Sequence, residues 1–315
     1  MSVDRVATAQ QNAYYLSQIQ SAGAKLDNTN KQIASKVVAD TYAGFGDKAQ
    51  VLQATLSAQA RNSAYTNATG MATTQADLQD TQLTSLSTLA TQLKKAVSDA
   101  VANNDPTGLM ATVGNVFSQA ISILNSKDAN GDFIYAGGKT DTAPVSVGSL
   151  SQLIAAPSAA SIFTNGDSKK AVQVADGQSV SFGITASDIA GGLMQALKDV
   201  VGFDAGAGGS FDTSTNLSQA QTAFLTTQIA ATGTVSAGLT AVTAQNGGVY
   251  NQLQNATAQQ GATDTLYGSF IDKVQNTDMA QAATQFSLNQ TALQATLQVT
   301  ASLNKLTLLN YLPTQ

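Results

Sequence analysis

Apolar residues recur at helical spacing near both ends of the chain. Near the C-terminus they lie three, four or six residues apart, at Leu293, Leu297, Leu303, Leu306, Leu309 and Leu312. Near the N-terminus Ile19, Leu26 and Ile33 recur at intervals of seven, preceded by Leu16. This spacing predicts two amphipathic helices, the first of coiled-coil type and extending to about Ile33. Each stripe needs a partner, which must come from a distant part of the chain or from another molecule.

The next segment predicts a long helix and its return. Between residues 47 and 101 there is no proline, and one stripe continues through Leu78, Gln82, Leu86, Leu89, Leu93 and Val97. A pattern of this length favours a helical rod or coiled coil over a globular helix. Pro106 is well placed in the first turn of the next helix. That helix is amphipathic through Met110, Val113, Phe117, Ile121 and Leu124, and we expect it to fold back antiparallel on the rod.

The middle of the chain has a different character. The pair Asp176-Gly177 lies inside an alternating segment and predicts a β-hairpin. A helix carrying Leu193, Leu197 and Val201 should follow, with a glycine-rich exit. We therefore expect a mainly α fold: a long antiparallel helical rod or coiled coil formed by both chain ends, with a small α+β insert. The predicted divisions are an N-terminal helix and spoke (1–46), rod helices (47–138), an insert (139–212), a returning rod helix (213–270) and a C-terminal helix (271–315).

Composition excludes several function classes. Only 11% of residues are charged, every acidic residue is Asp, Arg5 and Arg61 are the only arginines, and the net charge is -5. Nucleic-acid binding is not expected, because it needs clustered Lys and Arg. The chain has no Cys and no His, so thiolate chemistry and the usual zinc and copper ligand sets are excluded. No run of 18 apolar residues and no conventional secretory signal occurs, so we expect neither membrane insertion nor signal-dependent export.

No segment predicts a catalytic or cofactor site. Residues Asp128–Asp132 resemble the start of a calcium loop, but the twelfth position is Lys139, where a carboxylate is required, so an Asn-Gly turn is expected. The carboxylates of Asp77 and Asp80 lie one helical turn apart with no apolar pocket to perturb them, and are expected to face solvent, as is the basic pair Lys94-Lys95. We expect neither an enzyme nor a cofactor.

Three segments carry a resemblance to a known family: Leu26–Lys36 (LDNTNKQIASK), Asn125–Val145 (NSKDANGDFIYAGGKTDTAPV) and Asp278–Leu312, which ends in LNKLTLLNYL. They resemble the bacterial flagellin family, which includes filament flagellins and hook-filament junction proteins. The likeness covers about residues 1–145 and 212–315 and leaves the insert unexplained. The chain departs from the family pattern after its first helix, where it reads IASKVVADTYAGFGDKA. The aromatic-Leu ending of the tail and the small insert favour the junction type over a filament flagellin.

The resemblance implies a structural subunit of the extracellular flagellum. Its terminal helices would pair and also contact neighbouring copies, and its partners would be copies of itself, hook-associated proteins or flagellin, and an export chaperone. It implies subunit or coiled-coil contacts at Leu16, Ile19, Leu26, Ile33, Phe286, Leu293, Leu297, Leu303, Leu306, Leu309 and Leu312. Two alternatives remain open at this point: a surface adhesin with a coiled-coil stalk, and an unrelated all-α globule. A stalk would need parallel copies of one rod, whereas here the chain returns on itself.

Overall fold

The computed structural model describes residues 2–207 and 209–309, and the side chains of residues 10, 11, 13–207 and 209–302. The α-helices are α1 (Ser2–Ser35), α2 (Ala49–Asn103), α3 (Leu109–Leu124), α4 (Leu150–Ala155), α5 (Ala186–Asp204), α6 (Gln219–Gln275) and α7 (Met279–Leu309). Strands β1 (Ala171–Ala175) and β2 (Gln178–Ser181) form an antiparallel hairpin, and short 3-10 helices cover Tyr42–Lys48 and Ala160–Ile162. The predicted mainly α fold is confirmed.

The chain forms two compact units. The terminal unit comprises residues 1–61 and 263–315, and the central unit comprises residues 62–262. Residues 139–212, predicted as a separate insert, lie wholly within the central unit. The finer division of the chain into five parts stays a prediction.

In the terminal unit, α1 and α7 pack against each other as antiparallel helices. Beyond the end of α1, Val37 forms an antiparallel bridge with Asn276, and the amide of Thr277 donates to the carbonyl of Lys36 at 2.9 Å. These bonds fix the chain where α1 ends and α7 begins. Nearby, Leu52, Ile271 and Val274 form a small buried cluster. The predicted spoke between the first two helices is thus a bridged segment followed by a 3-10 helix.

In the central unit, α2 and α6 pack through an antiparallel heptad seam. The amide nitrogen of Asn62 donates to the carbonyl of Gln260, and that of Asn246 donates to the carbonyl of Ala76, both at 2.9 Å. The α2 seam positions alternate by three and four, at Asn62, Tyr65, Thr69, Ala72, Ala76, Gln79, Leu83, Leu86, Ala90, Leu93, Val97 and Ala100. The α6 positions do the same, at Gln221, Leu225, Gln228, Thr232, Val235, Leu239, Val242, Asn246, Val249, Leu253, Ala256 and Gln260. A sustained alternation of this kind is the spacing of a coiled coil.

The seam changes composition along α2. Its first part carries amide, hydroxyl and alanine side chains up to Gln79, whereas leucine and valine dominate from Leu83 onward. The predicted stripe was right at Leu86, Leu89, Leu93 and Val97, which are buried. It was wrong at Leu78, which is 40% exposed, because Gln79 occupies the seam position beside it.

The hairpin and α5 complete the central core. Val172 and Val174 of β1 and Phe182 pack beside Ala72 and Ala76, where the small side chains leave room for a strand. The amide nitrogen of Gln260 donates to the carbonyl of Val174 at 2.8 Å and so ties the strand to the seam. The predicted hairpin at Asp176-Gly177 is confirmed.

Helix α5 packs on α3 and shares its core. Leu193, Leu197 and Val201 of α5 are buried in one cluster with Val113 and Phe117 of α3. The ammonium group of Lys198 donates to the carbonyls of Leu153, Ile154 and Ala156 at 2.6–2.8 Å, at the C-terminus of α4. A cation there satisfies carbonyls that a helix end leaves unpaired. Segment 139–212 therefore contributes side chains to the same core as α2 and α3.

The segment between α3 and α4 closes over α2 through a buried tyrosine. The hydroxyl of Tyr135 donates to the side-chain oxygen of Gln82 at 2.7 Å, and the amide nitrogen of Gln82 donates to the hydroxyl of Ser126 at 3.0 Å. Burial raises the pKa of Tyr135 well above its ordinary value, so its hydroxyl keeps its proton and remains a donor. In the same segment, Phe133 forms an isolated antiparallel bridge with Lys127. The carboxylate of Asp128 accepts from the backbone amides of Asn130 and Asp132, which gives the predicted turn.

We expect Gln79→Leu to raise the free energy of unfolding of the central unit, and Gln82→Leu to lower it. Gln79 is fully buried and both polar atoms of its side-chain amide lack hydrogen-bond partners among the described residues, so replacing it removes an unpaired polar group. Gln82→Leu instead removes the oxygen that accepts the hydrogen bond from the buried hydroxyl of Tyr135. Each change should amount to about 1–3 kcal/mol, with opposite signs. Urea unfolding of the full chain, followed by circular dichroism, measures both, and a gain of stability in Gln82→Leu would contradict the role assigned to it.

Candidate assembly interface

The facing sides of α1 and α7 follow a second heptad pattern. On α1 one row of buried or half-buried positions alternates by four and three, at Tyr15, Ile19, Ala22, Leu26, Thr29 and Ile33. On α7 they are Ala282, Phe286, Asn289, Leu293, Thr296 and Thr300. The start of α7 is fixed by the carboxylate of Asp278, which accepts from the backbone amides of Ala280 and Gln281 at 2.9 and 3.1 Å. We call these two rows the terminal seam.

A polar contact sets the register of the terminal seam. The amide nitrogen of Asn289 donates to the hydroxyl of Thr29 at 2.9 Å and to the carbonyl of Lys25 at 3.4 Å. Thr29 is 6% exposed and is the most buried residue of α1 among those whose side chains are described. A polar pair at a seam position selects one alignment of two helices, because any shift removes the acceptors of the Asn289 amide, whereas the Thr29 hydroxyl keeps its bond to the Lys25 carbonyl of its own helix. Sequence reading missed both residues, since it followed only apolar positions, although their heptad spacing from Leu26 and Leu293 would have found them.

The predicted contact residues fall into three groups. Ile19, Leu26, Ile33, Phe286 and Leu293 lie half-buried at positions of the terminal seam. Leu16 and Leu297 lie off it and are 58% and 47% exposed. The side chains of Leu303, Leu306 and Leu309, and the whole of Leu312, lie outside the described residues.

Large apolar side chains also project away from the terminal seam. On α1 they include Tyr14 and Leu16, and on α7 they include Leu288, Leu297 and Val299, all of them about half exposed or more. The seam itself contains Ala22, Thr29, Asn289, Thr296 and Thr300. This helix pair therefore has small and polar side chains among the apolar ones of its seam, and it carries further large apolar side chains on its outer sides. Such a distribution suits a helix pair whose outer sides are covered by other chains.

The described residues contain neither a candidate metal site nor a candidate membrane span. Among them, no group of three or more His, Cys, Asp or Glu could hold a metal ion. None of the helices in the described part is apolar over the length that a bilayer crossing requires.

The chain has relatives among flagellar proteins. Residues 229–312 match the bacterial flagellin C-terminal helical region. The flagellar hook-associated protein 3 of Escherichia coli is 31% identical over 93 residues, which is 28% of this chain and 29% of that protein. Its counterpart in Salmonella typhimurium is 32% identical over 91 residues, again 28% of this chain and 29% of the relative. The chain thus aligns with less than a third of the length of these curated relatives.

A solved structure extends the likeness at the level of fold. The structure of a putative flagellar hook-associated protein from Vibrio parahaemolyticus superposes with a TM-score of 0.57 at 16% identity, over 72% of this chain and 97% of that one. The superposition covers much more of the chain than the sequence matches do. The predicted resemblance to the bacterial flagellin family is therefore confirmed: residues 229–312 match the C-terminal helical region of flagellins. The fold is similar to that of a flagellar hook-associated protein.

Proposed function

We propose that the chain is a structural, non-enzymatic subunit of the axial part of the bacterial flagellum, of the hook-filament junction type. The observation that carries the proposal is the terminal helix pair, in which large apolar side chains face away from the seam, within a chain whose residues 229–312 match the flagellin C-terminal helical region. When other subunits cover apolar surface of this kind, the free energy of association becomes more favourable by about 25 cal/mol per Å² of buried apolar area. Function would then consist of association.

The partners of the proposed subunit are other copies of this chain, hook-associated proteins and flagellin, with an export chaperone before assembly. Its place is the extracellular flagellum. The contact residues are the half-buried positions Ile19, Leu26, Ile33, Phe286 and Leu293, together with Leu16, Leu297 and the tail leucines Leu303, Leu306, Leu309 and Leu312. Contacts between different surfaces of identical chains propagate along a helix instead of closing a dimer.

The junction type is favoured over a filament flagellin by the curated relatives, both of which are hook-associated protein 3. The adhesin alternative requires a stalk of parallel copies. The antiparallel packing of α1 on α7 within one chain supports the flagellar subunit instead.

Electron microscopy and co-sedimentation of the full-length chain with isolated flagellar hooks test the proposal. We expect the chain to remain unpolymerised alone and to sediment with hooks, since a junction subunit assembles on an existing end. Long filaments formed by the chain alone would show a filament flagellin. A chain that neither polymerises nor sediments with hooks would overturn the axial role.

A further inference from the structure

The outer side of α2 in the central unit carries a ridge with two large apolar side chains. The residues of this ridge alternate by three and four and all are exposed, at Ala64, Asn67, Met71, Thr74 and Leu78. Met71 is 75% exposed and has the highest exposure of the large apolar side chains among the described residues. A second heptad row on the outer side of a helix has no role in the α2–α6 seam. It is a surface that another helix or groove could cover.

A shallow groove of about 560 Å³ lies between α2 and α6 in the same unit. Its lining includes Thr84, Thr88, Thr91, Thr240, Thr243 and Ala244. The hydroxyls of Thr88, Thr91, Thr240 and Thr243 each donate to the carbonyl four residues earlier, at 2.9–3.0 Å. Since these hydroxyls are engaged by their own helices, the side chains offer mainly their methyl groups to the groove. The surface of the groove is therefore apolar, although most of the residues that line it are polar.

Ridge and groove face different directions around α2. At roughly 100° per residue, Met71 and Leu78 point in nearly the same direction, while Thr84, Thr88 and Thr91 are turned by about 80–140° from Leu78. Thr88 also lies about 15 Å further along the helix than Leu78, at 1.5 Å per residue. One copy can therefore present its ridge to a second copy while its own groove stays open to a third. A head-to-tail contact of this kind can repeat.

The charges beside the two surfaces are of opposite sign. Asp77 is exposed next to Leu78, and Asp80 is half-exposed one turn further on. Lys95 lines the groove and its ammonium group is exposed, and Lys94 beside it is exposed as well. Lys95 pairs with Asp99 four residues away, an exposed contact of a kind that contributes little and is easily exchanged. In a chain with 11% charged residues, this placement favours one mutual orientation of ridge and groove.

We propose that the ridge at Met71 and Leu78 of one copy docks into the threonine-lined groove of a second copy, with Asp77 and Asp80 next to Lys94 and Lys95. This proposal rests on the proposed function, because it assigns one contact within the assembly. The occupant is a second copy of this chain, since the ridge supplies exposed apolar side chains for an apolar groove and carboxylates for the lysines beside it.

Disulfide trapping tests this contact in the full-length chain, which contains no cysteine of its own. Two variants are made, Leu78→Cys and Thr91→Cys, both at exposed positions where the fold should tolerate the change. They are mixed, allowed to assemble on isolated hooks, sedimented, oxidised and separated without reductant. We expect a covalent dimer in the mixture and little in either variant alone, because a disulfide forms only when the two Cα atoms come within about 7 Å. A matched control pairs Leu78→Cys with Thr226→Cys, an exposed threonine of α6 outside the groove.

Charge exchange supplies a second readout. Asp77→Lys or Lys95→Asp alone should reduce sedimentation with hooks severalfold, and the two together should restore it. Sedimentation of the mixed cysteine variants without a dimer specific to Leu78 and Thr91 would overturn the contact while leaving the proposed function standing. Absence of the chain from the pellet, for the natural sequence as well, would overturn the proposed function and this contact with it.

Discussion

Leu26→Asp combined with Leu293→Asp is expected to abolish incorporation of the chain into flagellar structures while the central unit stays folded. Both leucines lie half-buried at terminal-seam positions, one turn from the bond between Asn289 and Thr29 and on the same side of it, because the two helices are antiparallel. An unpaired carboxylate in a covered apolar site costs several kcal/mol, and each 1.4 kcal/mol is a factor of ten in an equilibrium constant. Sedimentation with isolated hooks should therefore fall by at least ~100-fold.

Gln290→Asp is the control for that variant. Gln290 is exposed on α7, one residue from Asn289, so a carboxylate is introduced on the same helix but outside the seam. Circular dichroism checks that the central unit keeps its helix content in both proteins. Normal incorporation of the double variant would contradict the assignment of the terminal helix pair as the assembly interface.

The second large effect concerns α5, where we expect Leu197→Ala to lower the free energy of unfolding of the central unit by about 2–5 kcal/mol. Leu197 is fully buried in the cluster that α5 shares with α2 and α3. Truncation leaves a cavity that the surrounding helices cannot fill. Leu78→Ala is the matched control, because its leucine is 40% exposed, and it should change stability by less than about 0.5 kcal/mol.

Urea unfolding of the full chain measures both leucine variants. The result bears on the predicted insert, since a segment with an independent fold would lose its own stability and leave α2 and α3 unaffected. If Leu197→Ala unfolded α5 alone, with α2 and α3 retaining their transition, residues 139–212 would behave as a separate unit. The shared core leads us to expect a single transition for the central unit.

Helices and turns could be predicted from the sequence where one residue type dominates a pattern. The long helices, the Asp176-Gly177 hairpin and the burial of Leu86, Leu89 and Leu93 follow from apolar periodicity and turn chemistry. The pairing of the chain ends followed from the matching stripes and the family resemblance. These features depend on local propensity, or on an apolar stripe long enough to show which face of the helix is buried.

The remaining features depend on partners that the sequence does not place together. Gln79 takes a seam position beside the more apolar Leu78, because the heptad alternation is set by the whole helix and not by one leucine. The bond between Thr29 and Asn289 joins residues that no local pattern relates. Likewise, α5 reads as part of a separate insert until its contact with α3 is known. Packing between distant residues therefore decides features that cannot be predicted from one segment of the sequence at a time.

The change in composition along the α2 seam has a consequence for how the central unit opens. Its first part holds amides and alanines, and four polar atoms of Gln75, Gln79 and Asn246 there lack hydrogen-bond partners among the described residues. The part from Leu83 to Val97 buries leucine side chains instead. Amide hydrogens near Ala76 should therefore exchange with solvent at lower opening free energies than those near Leu93. One continuous helix pair thus has a less stable and a more stable portion, and in the proposed assembly a deformation imposed by other subunits would be absorbed in the less stable one.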